Sequence, residues 1–284
     1  MKRAFQNIAV LAALAALPLG FSPLWGQKVK SQKEQQAILA VQLAKDPDDR
    51  IKAIENVLTN FADTEFKMAL LQMAVQTEVD KGDYAQTVFY GDRLLKADPK
   101  NAFAMITIAA ETARHTREND LDKDDQLSKV DKLAKDGLEA AKTMPKVRAD
   151  VTDADWEAYK KDLSAQAYVA LAMADQLRKN YEGAATNYKQ SLATGATPNA
   201  ATLVRLGQVY MGQGKLDDAN YTLDKAINTP NVAPQIKTIA ENLKAEIAKH
   251  KPAAAPAAGA SGQGGTPPAA PPANPAPPPA SHQP

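Results

Sequence analysis

Apolar residues recur at every third or fourth position through most of this chain, from about Gln27 to Lys251. That spacing puts one buried stripe on an α-helix. β-Branched residues seldom alternate with polar ones, and Ala, Leu, Lys, Gln, Glu and Asp dominate, so strand signals are weak. Pro47, Pro99, Pro145, Pro198 and Pro230 fall between the periodic segments. A residue with no amide hydrogen belongs there, ending one helix or opening the next. The pattern predicts an all-α body.

The segments also repeat. The clearest unit opens with Leu203-Val204-Arg205-Leu206-Gly207-Gln208-Val209-Tyr210 and runs through Gly214-Lys215-Leu216-Asp217-Asp218-Ala219 to Leu223, Ala226 and Pro230. Leu203, Leu206 and Tyr210 share one face of a first helix. Gly207 is small where another helix must come close, and Gly214 suits the turn that ends a helix. Ala219, Leu223 and Ala226 form the packing stripe of a second, antiparallel helix. This unit resembles a tetratricopeptide repeat (TPR).

Its second-helix pattern recurs in Asn180-Tyr181-Glu182-Gly183-Ala184 leading to Tyr188 and Leu192, and in Gly82-Asp83-Tyr84-Ala85-Gln86-Thr87 leading to Leu94-Leu95 and Pro99. It recurs again in Arg50-Ile51-Lys52-Ala53-Ile54 leading to Val57 and Phe61. Thr87 follows Ala53 by 34 residues, the period of this family. A stretched unit runs from Ala102 to Pro145, with Leu133-Ala134 and Gly137-Leu138 in its second helix. The resemblance spans about 36–230. It is most complete at 199–230, less so at 68–99 and 166–198, and thinnest at 36–62 and 102–145. Thr87 and Gly91 stand where the family pattern has Ala and an aromatic, and no unit has the aromatic that often opens the first helix.

Two insertions interrupt the series: a charged loop from Arg117 to Asp125, and Lys146 to Leu163, which extends a long helix starting after Thr152 or Asp153. A last amphipathic helix, Pro234 to Lys249, carries Ile236, Ile239, Leu243 and Ile247 on one face and caps the array. The expected fold is an all-α, TPR-like α-solenoid of antiparallel helix pairs with a C-terminal capping helix and a disordered tail.

The resemblance implies a concave face lined by the first helix of each pair, which in this family binds extended or helical peptides. Matching offsets to the family pattern places Gln72, Gln76 and Val79 on that face, then Phe103, Ile106 and Ala110, then Val169, Met173 and Gln176, and finally Val204, Gln208 and Met211. Some family members hold a peptide C-terminal carboxylate with basic and amide side chains, and the matching positions here do not carry that clamp. With no Lys or Arg in the set, the groove is expected to be apolar with amide spots, suited to a neutral or hydrophobic segment. Apolar residues at helical spacing also read as ordinary core. A further alternative is that the helix at about Lys33 to Leu43 fills the groove.

The two ends read differently from the body. Met1-Lys2-Arg3 is followed by the apolar run Ile8 to Leu17 and then by Pro18 and Gly20, the layout of a secretory signal. The run is short for a transmembrane helix. Cleavage is placed near Gly26, with an uncleaved anchor in residues 1–26 as the alternative, because no small-x-small pair precedes that point. Pro252 to Pro284 is almost entirely Pro, Ala and Gly, without charge or large apolar side chains. Such a segment cannot bury enough surface to offset the entropy of ordering it, and it reads as a spacer-like tail. The domain division is therefore 1–26, 27–251 and 252–284.

Charge and composition narrow the chemistry. Lys and Arg total 34 against 33 Asp and Glu, a net +1, without the basic excess of a nucleic-acid binder. Without residues 1–26 the balance becomes 32 against 33. There is no cysteine, which excludes disulfides, thiol catalysis and thiolate metal sites. The three histidines, His115, His250 and His282, are far apart and read as helix-end or tail residues. Asp120, Asp122, Asp124 and Asp131 have calcium-loop offsets, but Asp125 replaces the required glycine, so a solvated loop with Asp124 or Asp125 as N-cap is preferred. Gly207 to Lys215 lacks the spacing and the hydroxyl of a phosphate loop. Asn220-Tyr221-Thr222 is a glycosylation triplet inside a helical segment, and Trp156 with Tyr159 reads as packing. No cofactor, metal or catalytic constellation is expected. The leading expectation is an exported, non-enzymatic scaffold or adaptor of the bacterial cell envelope, in the periplasm or anchored to the inner membrane, with protein or peptide partners. The alternative is an envelope assembly factor or chaperone-like holder of hydrophobic segments.

Overall fold

A computed structural model describes residues 28–146 and 151–250. The leader-like segment 1–26 and the Pro/Ala-rich segment 252–284 lie outside the described residues.

Among the described residues there are eleven helices and no strand. They are α1 (Gln32–Leu43), α2 (Pro47–Asn60), α3 (Lys67–Lys81), α4 (Tyr84–Ala97), α5 (Ala102–His115), α6 (Lys123–Lys142), α7 (Asp153–Leu177), α8 (Tyr181–Thr194), α9 (Ala200–Gly212), α10 (Leu216–Ile227) and α11 (Pro234–His250). Odd and even helices pair from α1/α2 to α9/α10, and α11 covers α9 and α10 at the end. Inner-layer neighbours also meet: α3 touches α5, and α5 touches α7. None of these helices is long and apolar enough to cross a membrane.

Local chemistry sets most helix starts. Ser31, Asp46, Asp83, Asn101, Thr152, Asn180 and Asn199 each accept a hydrogen bond from a first-turn amide. Such a cap contributes about 1 kcal/mol and removes one unsatisfied donor. Pro47 occupies the first turn of α2, where its missing amide costs nothing. The Thr152 cap starts α7 at Asp153, so the stretch Asp153 to Leu163 belongs to a long helix as expected. For α6 the expected caps Asp124 and Asp125 sit inside the first turn instead; Asp122 is the N-cap residue and makes no side-chain cap bond. Gly82 (φ +73°) and Gly214 (φ +73°) end α3 and the α9 turn in the left-handed region that glycine adopts without strain. After Gly214 the Lys215 amide donates back to the Tyr210 carbonyl at 2.9 Å, completing the helix stop.

Two clusters of buried apolar side chains run through the stack. The first spans α1 to α7 and includes Ile54, Leu71, Leu94, Ile106, Leu127 and Leu171. The second spans α7 to α11 and includes Ala172, Tyr188, Val204, Leu223 and Ile247. Both touch α7, and Met173 packs against both. Helix α1 packs on α2 rather than filling an inner groove. Trp156 is buried, with its indole N–H donating to the Met144 carbonyl at 3.4 Å and its ring 5.2 Å from that of Tyr159. Asn220 lies within α10.

Glycine sets the closeness of three pairings. A Cβ on Gly207 would sit 2.9 Å from the Leu223 side chain, and one on Gly91 would sit 2.7 Å from Ile108. A Cβ on Gly137 would sit 2.5 Å from Ile106 and 3.3 Å from the Met105 Cβ. Gly91, an apparent departure from the repeat pattern, is thus the seat for an isoleucine of the next helix. Substituting Gly137→Val should lower stability by about 2–3 kcal/mol through overpacking at the α5/α6 contact. Urea titration followed by far-ultraviolet circular dichroism checks it, with Gly195→Ala as a control, because the nearest atom to its added Cβ lies at an ordinary 3.4 Å.

Candidate functional site

The first-helix layer is α3, α5, α7 and α9, and the residues expected to line its open face divide into two groups. Phe103, Ile106 and Val204 are buried, at 2%, 0% and 4% exposure, and have no surface to offer a partner. Their expected place in the groove is corrected: Ile106 packs into the hollow above Gly137, Phe103 belongs to the first core cluster, and Val204 to the second. Gln72, Gln76, Val79, Ala110, Val169, Met173, Gln176, Gln208 and Met211 are half-buried. Gln76 donates to the Asp80 carboxylate at 2.9 Å on its own helix.

A cleft of about 330 Å³ lies where the C-terminal ends of α5 and α7, the start of α8 and the middle of α9 come together. Met173 and Gln176 line it, so two of the expected residues do meet. Its apolar walls are Ala113, Leu177 and Tyr181. Arg114, Lys179 and Arg205 also line it, which corrects the expectation of a face without basic residues. Lys179 is in the α7–α8 turn, with φ +61°, and Arg114 is in the last turn of α5; neither falls on the matched offsets. Arg205 is one residue beyond Val204, and one residue on a helix is about 100° of rotation. Val204 and Arg205 therefore lie on different faces of α9, the valine in the core and the arginine at the cleft.

The cations are held differently. Arg114 pairs with Glu111, whose side chain is 5% exposed and whose second oxygen is 3.7 Å from His115 Nδ1. Lys179 pairs with Glu118 at 2.6 Å, and the hydrogen bond and charge of Glu118 raise the lysine pKa. Beneath the cleft, burial pushes the Tyr188 phenol up to about 12, opposed by the nearby Arg205 charge. The neutral Tyr188 hydroxyl donates to Gln176 Oε1 at 3.2 Å, which orients that amide at the cleft wall.

A second, smaller hollow of about 110 Å³ is bounded by Tyr84, His115, Asp120, Asp122 and Gln126. Tyr84 stacks on His115 at 4.5 Å, and His115 Nδ1 lies 3.0 Å from the Glu111 carbonyl. Asp131, the last position of the calcium-like spacing, does not line this hollow and pairs with Arg178 at 3.0 Å. Among the described residues no cluster of three or more His, Asp or Glu side chains could hold a metal ion.

Tyr188 supplies a pH test. Its folded pKa lies above the ordinary phenol value of 10.0, so burial of the neutral form contributes stability that is complete below pH 10 and is lost as pH rises towards about 12. Unfolding free energy measured between pH 9 and 12 should decline more gently in Tyr188→Phe than in the parent chain.

Neither the protein-family models nor the curated proteins contain a match to this chain. Among solved structures it is similar to the crystal structure of a thermophilic TPR protein from Thermus thermophilus, with a TM-score of 0.52, 17% identity, and coverage of 74% of this chain and 97% of that one. The likeness concerns the fold: the described residues form an all-α, TPR-like α-solenoid of antiparallel helix pairs closed by a capping helix.

Proposed function

We propose that this chain is an exported scaffold or adaptor of the bacterial cell envelope, holding a segment of a partner protein along the inner helices α3, α5, α7 and α9. A TPR-like fold suits protein–protein interaction in general. The observation that carries the reading further is the open cleft between α5, α7 and α9, lined by the Met173 and Gln176 side chains. A preformed surface of this kind lowers the ordering cost of a bound segment. Half-buried Val169, Gln208 and Met211 extend the same layer with apolar and amide groups. The leader-like pattern of residues 1–17 supports export, with retention as an inner-membrane anchor as the variant of the same reading.

Photo-crosslinking amino acids placed at Gln176 and Gln208 should yield discrete adducts in the native envelope, whereas the same groups at Lys132 and Tyr221, exposed positions on second helices, should not. Equal adduct patterns from both sets would remove the inner face as the binding surface. A few stable adducts identify a scaffold; a broad, short-lived set identifies a chaperone-like holder. Sequencing the N-terminus of the protein recovered from fractionated cells should find it beginning near Gln27 in the periplasmic fraction. An intact Met1 in the membrane fraction would instead establish the anchor.

A further inference from the structure

One cation of the cleft lacks the carboxylate that the other two have. Arg114 is held by Glu111 and Lys179 by Glu118. Arg205 is half-buried, and among the described residues no carboxylate is paired with it; its polar neighbour is the Tyr188 hydroxyl. A guanidinium carries five donors in a planar fork and keeps its charge at any ordinary pH. One phenol oxygen, already donating its hydrogen to Gln176, engages few of those donors. Apolar surface flanks the charge, with Met173 and Leu177 on the α7 side and Tyr181 at the start of α8.

We propose that this cleft receives an Asp or Glu side chain flanked by apolar residues, presented by the partner segment that the inner helices hold. The carboxylate lies on Arg205, and the flanking residues cover Met173 and Leu177 on one side and Tyr181 on the other. The inference rests on the scaffold reading above and names the chemistry of the partner. Charge complementarity selects the occupant. A carboxylate can take two parallel hydrogen bonds from the fork, each about twice as strong as a neutral one, and a partly desolvated site strengthens them further. A neutral amide or hydroxyl leaves the charge unmatched. Apolar lining from two helices, α7 and α8, fits a charge carried between apolar residues midway along a segment rather than at its end.

Two libraries of random decapeptides, one with both ends blocked and one with free C-terminal acids, selected against the full chain, test this. The expected result is enrichment, in the blocked library, of an acidic residue adjacent to a large apolar one. The selected peptide should bind about tenfold more weakly to Arg205→Gln, and about tenfold more weakly when its acidic residue becomes Gln or Asn. The two changes combined should cost no more than either alone, as for a pair in direct contact. Arg205→Lys keeps the charge and much of the packing, covers the case in which Gln unsettles the helix, and should weaken binding about threefold with salt sensitivity retained. Enrichment of peptides without an acidic residue, or of acidic peptides indifferent to Arg205, overturns the proposal and leaves the scaffold reading standing. Peptides that bind only as free C-terminal acids overturn the side-chain assignment. No enrichment from either library removes both readings together.

Discussion

Helix α7 is buried from two sides, and the stack depends on it. Leu171 and Ala174 belong to the first core cluster, Ala172 to the second, and Met173 packs against both. A helix apolar on more than one face is stable only when neighbours cover each face. Ala167, Ala170, Ala172 and Ala174 are all fully buried, so α7 meets its neighbours with small side chains. The same helix also anchors the turn between α8 and α9: Asp162 accepts hydrogen bonds from the Ala196 and Thr197 amides and the Thr197 hydroxyl.

The rest of the stack obeys the same requirement, applied pair by pair. One helical hairpin cannot bury its apolar surface alone, and the next hairpin supplies the cover. Ion pairs cross between helices, as Lys81 with Asp48 at 2.7 Å and Arg178 with Asp131 at 3.0 Å. Surface pairs of this kind typically contribute about 0–1 kcal/mol. A buried leucine or isoleucine contributes about 1.5–3 kcal/mol, so packing and not charge sets the order of the helices. Glycines at 91, 137 and 207 then decide how closely the pairs approach.

The cleft is a by-product of that packing. Arg178 ties the end of α7 to α6, and Lys179 in the left-handed region turns the chain straight into α8. The ends of α5 and α7 and the middle of α9 are left around an open space. Two of its cations are neutralised by carboxylates of the chain itself, which among the described residues confines the unmatched charge of the cleft to Arg205.

The repeat at Leu203 to Pro230, the helix start after Thr152 and the stop at Gly214 were legible in the linear order of residues, because each depends on neighbours within a turn or two. The thin units at 36–62 and 102–145 were legible only as periodicity, and their pairing is visible once α1 packs on α2 and α5 on α6. The site was harder to read. Offsets taken from a repeat pattern carry a helical phase, and Val204 and Arg205 differ by a rotation that only the packing of α9 against α8, α10 and α11 resolves. Phe103 and Ile106 are both drawn into the first core cluster, Ile106 into the hollow above Gly137. Sequence alone determined that this chain builds stacked helical hairpins, since helix period and capping are local properties. Tertiary structure decided which side of each helix is buried and which charge is left unmatched, since both depend on residues far apart along the chain.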